Sequence, residues 1–134
     1  MLIRCLLVLA GGGVGSLTRY LAGLGVNEHY DGRFPLATFL INVTGSFIIG
    51  LMLVLLDRED LLHPNLRPLI VTGFLGGYTT FSSYGLQTLN LARDGEWLAV
   101  TLNIVGSNVL GLFAVYLGWV CGRALQAKLH GGAL

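Results

Sequence analysis

Charge is what this sequence has least of. Asp, Glu, Lys and Arg make up 11% of its 134 residues, where a soluble domain carries roughly 25%. The charges present are also segregated. Glu28, Asp31, Asp57, Glu59, Asp60, Asp94 and Glu96 all fall between apolar runs. An exporter coupled to protons or cations needs a carboxylate at membrane depth, and none is available. Cys5 and Cys121 are too far apart to suggest a disulfide framework or a metal motif, and read as packing residues. His29, His63 and His130 lack ligand spacing, so no side-chain metal site is expected. No Ser-His-Asp or Cys-His set falls at one depth, which argues against an enzyme. The net charge of +1 offers no surface for nucleic acid.

Apolar residues are abundant instead, at 54% of the chain with a mean hydropathy of +0.72. A bilayer crossing takes about 20 such residues. Four spans are predicted within a single transmembrane domain covering residues 1–134: roughly 2–23, 36–56, 68–91 and 97–123. Polar connections at 25–35, 57–67 and 92–96 separate them. Arg4 ahead of a short apolar run has the look of a signal peptide. The run continues through Gly11–Gly15 without a small-x-small cleavage site, so it reads as a retained span. Positive-residue counting puts both termini in the cytoplasm by a narrow margin. A narrow margin also suits insertion in both orientations.

Small residues four apart, as in Gly11/Gly15, Ser107/Gly111 and Gly118/Gly122, allow close helix approach. The run Gly11-Gly12-Gly13-Val14-Gly15 has no preceding strand and is not read as a dinucleotide loop. Arg19 is the one charge placed plausibly within a span, and is assigned a structural role, snorkelling or capping exposed carbonyls near a helix end. Thr38 and Asn42 share a helix face. The Asn42 amide serves either a neighbouring helix or an anion path, and its position alone does not choose.

The third span carries the densest signal, Gly73-Phe74-Leu75-Gly76-Gly77-Tyr78-Thr79-Thr80-Phe81-Ser82-Ser83-Tyr84. Gly73, Gly76 and Gly77 weaken helix propensity, and unwinding there would free backbone carbonyls for a cation. Beyond it, Phe81 and Tyr84 are three apart, with Ser82, Ser83 and Gln87 supplying donors. Irregular backbone at membrane depth is tolerated only where protein buries it or a cavity meets it.

At these residues the chain resembles the Fluc (CrcB) family of small four-helix fluoride channels. The resemblance rests on GGGVGSLTRY at 11–20, TFLINVTGSFIIG at 38–50 and TGFLGGYTTFSSY at 72–84, and covers essentially the whole length. It implies an all-α integral membrane protein of four spans with a broken third helix. It also implies an antiparallel, dual-topology homodimer in the cell inner membrane, passing fluoride passively outward and excluding chloride. A structural sodium ion at the dimer centre would be held by the Gly76 and Thr79 carbonyls. Phe81 and Tyr84 would be the pore rings and Asn42 the pore amide. Ser82 and Ser83 would form the hydroxyl track, with Thr38, Gln87 and Ser107 as further lining. Two positions depart from the family pattern: Tyr84 replaces a phenylalanine, and Gln87 stands where some members carry glutamate. The competing readings are a small transporter for another anion or a drug, and a structural membrane subunit.

Overall fold

The structure is a computed structural model describing residues 1–56 and 65–131, with side chains described to Lys128. The expected polar connection from Asp57 to Arg67 lies mostly outside the described residues, His63 included, as does the His130 side chain. The elements in order are α1 (Leu2–His29), α2 (Leu36–Leu55), a π-helical segment (Pro68–Leu75), α3 (Gly76–Tyr78), α4 (Phe81–Arg93) and α5 (Trp97–Gly131). All the described regular structure is helical. Three helices, α1, α2 and α5, are long and apolar enough to cross a membrane.

Two helices run past the expected span ends. α1 continues beyond Gly23 to His29 and α5 beyond Arg123 to Gly131. Gly23 and Gly25 do not stop α1, because an isolated glycine costs only about 1 kcal/mol in a helix. α5 at 35 residues is longer than the about 20 that a hydrocarbon core needs. Between α4 and α5, Gly95 takes a positive φ of 76° and turns the chain.

Two close helix pairs build the bundle, α1 against the π-helical segment and α2 against α5. Glycine makes both possible. A Cβ on Gly15 would strike the Phe74 carbonyl, and one on Gly11 the Leu69 carbonyl. Across the other seam, a Cβ on Gly50 would strike the Val115 carbonyl and one on Gly118 the Phe47 carbonyl. In lipid, such backbone proximity substitutes for the hydrophobic drive that water supplies elsewhere.

Gly73 and Gly77 belong to the same device, which corrects one expectation. The backbone there does not unwind: both residues are helical. A Cβ on Gly73 would sit 2.9 Å from the Val8 carbonyl oxygen, and one on Gly77 would strike the Gly12 carbonyl. These glycines bring α1 near. The chain leaves helical geometry later, at Thr79 and Thr80.

The chain exposes 8792 Å² of surface, against about 6,800 Å² for a compact soluble monomer of this mass. Much of the excess is leucine, valine and aromatic surface on α1, α4 and α5. Surface of that kind belongs against lipid or protein.

Candidate functional site

Thr79 (φ −81°, ψ 159°) and Thr80 (φ −151°, ψ 119°) are extended between α3 and α4. They sit at the depth of Gly45, the middle of α2, whose missing side chain leaves room for the Thr79 methyl group. Extended backbone inside an apolar bundle must find substitute hydrogen bonds. Asn42 supplies them in both directions. The Thr80 amide donates to Asn42 Oδ1 at 2.8 Å, and Asn42 Nδ2 donates to the Thr80 carbonyl at 3.0 Å. The structure thus engages the Asn42 amide with a neighbouring helix and leaves one Nδ2 hydrogen over.

Capturing the Thr80 amide has a consequence one turn back. A continuing helix would give that amide to Gly76; here Asn42 holds it. The last helical bond of the segment is Thr79 N–H to the Leu75 carbonyl, at 3.0 Å. Arg19 lies well inside α1 rather than near its end. Its guanidinium donates to the Thr79 carbonyl at 3.4 Å, so it does cap an exposed carbonyl, at the break.

Thr80 also restarts the helix. Its side-chain oxygen accepts from the Ser83 amide at 3.2 Å as the N-cap of α4, an arrangement worth about 1 kcal/mol. The same oxygen lies 3.2 Å from Ser82 Oγ and donates to Ser83 Oγ at 3.1 Å. These hydroxyls form one cluster around the cap. Thr80 itself is 8% exposed.

Two cavities meet at Thr80. One of about 700 Å³ is lined by Arg19, Thr38, Thr80, Ser83 and Gln87, among others. The other, of about 360 Å³, is lined by Asn42, Gly76, Thr79, Thr80 and Phe81 with apolar neighbours. Of the residues singled out in the sequence, Arg19, Thr38, Ser83 and Gln87 line the first and Asn42, Gly76, Thr79 and Phe81 the second, on either side of one threonine; Ser82 and Tyr84 line neither. Phe81 and Tyr84 stack obliquely on α4, with ring centroids 5.4 Å apart and planes 41° apart. Phe81 is 83% exposed. The Gln87 amide oxygen is buried without a partner among the described residues.

Ser107 lines neither of these cavities. Its hydroxyl donates to Asn103 Oδ1 at 3.4 Å. Asn103, only 1% exposed, donates to Thr88 Oγ1 at 2.8 Å. Sequence reasoning missed Asn103, Thr88 and Thr80. A threonine three residues before Ser83 is an N-cap spacing, and an asparagine inside an apolar helix is itself a signal.

These features define a class: a small multi-pass membrane protein, helical throughout its described regular structure, with two cavities converging on an interrupted helix. The chain belongs to the CrcB family; residues 6–119 match the model described as CrcB-like protein, Camphor Resistance (CrcB). Curated relatives carry the name fluoride-specific ion channel FluC. The one from Hydrogenobaculum sp. (strain Y04AAS1) is 45% identical, covering 90% of this chain and 98% of its own length. That from Opitutus terrae is 47% identical over 91% of this chain and 94% of its own. The Aquifex aeolicus relative is 40% identical, over 88% and 95% respectively.

Proposed function

We propose that this chain is a fluoride-specific ion channel, not an enzyme, that lets fluoride leave the cell passively across the inner membrane. The observation that carries the reading is the Asn42–Thr80 clasp. It holds open a polar break in the middle of an apolar bundle, in a chain over 40% identical to named fluoride channels along nearly its whole length. The segments from Pro68 to Arg93 form the third span in chain order, broken at Thr79 and Thr80, and bring the total to four.

The working unit is an antiparallel homodimer. One protomer leaves Phe81 open and α4 with Leu91 as its one buried residue. A second copy across that face encloses the rings and completes a pore. Two-way insertion suits the nearly balanced loop charges.

Fluoride is small and strongly hydrated, so the path must replace water with donors yet bind weakly enough for release. Neutral groups meet that need. Ser83 and Gln87 receive the ion from the larger cavity; the spare Asn42 hydrogen and the positive ring edges of Phe81 and Tyr84 carry it past the break. Thr38, Ser82 and Ser107 extend the lining. The membrane potential drives an anion outward with about 2.3 kcal/mol per 100 mV, so no coupled ion is required.

The Gly76 and Thr79 carbonyls suit a structural sodium ion. Both are hard, neutral oxygens, and the clasp takes away the amide that would otherwise occupy Gly76. Bound there, sodium would supply positive charge joining the breaks of two protomers. Arg19 shares the Thr79 oxygen, which has two lone pairs.

Purified protein in potassium-loaded liposomes, with fluoride and chloride efflux followed after adding a potassium ionophore, tests the reading. Rapid fluoride loss with retained chloride is expected. Retained fluoride, or equal loss of both, rejects it, and coupled transport or a structural role would then stand.

A further inference from the structure

α4 is a thirteen-residue helix with a single buried residue, Leu91. Within one protomer, apolar packing of that extent cannot fix the direction of the rings it carries, and there its polar attachments decide where it lies. At its start, Thr80 is clasped by Asn42. Further along, the Thr88 hydroxyl donates to the Tyr84 carbonyl at 2.7 Å and accepts from Asn103 Nδ2 at 2.8 Å. Thr88 has one hydrogen and spends it on its own helix, so it faces Asn103 as an acceptor. Asn103, at 1% exposed, has the most deeply buried side chain among the described residues. Its other end accepts from Ser107. One amide thus ties α4 to α5 and sets the direction of the Ser107 hydroxyl.

We propose that Asn103 is a positioning residue for anion permeation: by holding Thr88 it fixes the second half of α4, and with it the Phe81–Tyr84 ring pair, against α5. The proposal rests on the channel reading for its functional consequence, but its structural half stands apart. Phe81 and Tyr84 lie between the two asparagine attachments, and freeing either end lets the rings turn. Asn103 touches no anion in this account and acts through Thr88.

The test combines Asn103→Leu, which keeps the branching at Cγ without the amide, with Thr88→Val and Thr88→Ser in the whole chain. Asn103→Leu and Thr88→Val are each expected to lower fluoride flux about tenfold, the scale of one buried hydrogen bond. The double variant should lose clearly less than the product of the single losses, because both remove the shared Asn103–Thr88 bond. Thr88→Ser, which keeps the hydroxyl, should retain flux. Hydrogen exchange in α4 should quicken in both damaging variants while α1 and α2 stay protected. Multiplying losses, or unchanged α4 exchange in Thr88→Val, overturns the proposal. Should Asn103→Leu not fold, Thr88→Val reads the same bond. A wild-type protein without fluoride flux sinks the channel reading, while the exchange experiment still decides the tether.

Discussion

Replacing Asn42 by leucine removes both halves of its pair with Thr80 at once. The Thr80 amide and carbonyl, bonded at 2.8 and 3.0 Å in the wild type, are then left inside the bundle without partners. Each unsatisfied buried group costs about 1–3 kcal/mol, so the variant loses about 2–6 kcal/mol if the break keeps its shape. The chain has one local escape. The Thr80 amide can return to the Gly76 carbonyl and continue the helix, lowering that cost but closing the break and swinging α4 away. Both routes abolish fluoride efflux, and they differ in stability. Thermal unfolding in detergent, run beside liposome efflux, separates them. Asn42→Asp sharpens the experiment: an ionised carboxylate still accepts from the Thr80 amide but repels the Thr80 carbonyl and any approaching anion. Its flux should vanish while part of the stability remains. Wild-type flux and wild-type unfolding in Asn42→Leu would refute the reasoning.

Three other outcomes follow from the same geometry. Phe81→Ile should sharply lower fluoride efflux while size-exclusion chromatography still shows a dimer; unchanged efflux removes Phe81 from the path. Gly15→Val forces a side chain into the Phe74 carbonyl and should destabilise the fold by about 3 kcal/mol, the upper end of what core overpacking typically costs, read as a lower unfolding temperature. The ion pair between Arg33 and Glu96 is exposed, so Glu96→Gln should cost less than about 1 kcal/mol and leave flux unchanged; a large loss would mean the pair holds the two loops in a required arrangement.

Much of the fold was legible because membrane helices advertise themselves by length. The apolar runs marked α1, α2 and α5, and Gly11/Gly15 and Gly118/Gly122 announced close seams that the structure contains. Gly73 and Gly77 have the same spacing, yet read as weak helix because hydroxyls and another glycine crowd the residues that follow. What decides between the readings is the partner helix, and the one-dimensional pattern does not name it. The break falls at Thr79 and Thr80 for a similarly non-local reason, since Asn42 lies on α2. The Asn103–Thr88 bond joins two helices whose polar residues each look isolated in sequence. Arg19 was read within the first span as a cap for exposed carbonyls, but which carbonyl it meets was not legible, because Thr79 lies sixty residues away on another segment.

The central claim is selective permeation by fluoride, and a reversal potential in a planar bilayer tests it most directly. With chloride equal on both sides and fluoride tenfold different, the account predicts a reversal potential near the fluoride limit of about 59 mV, the value of one decade for a univalent ion. A reversal potential near zero under the same gradient would contradict it.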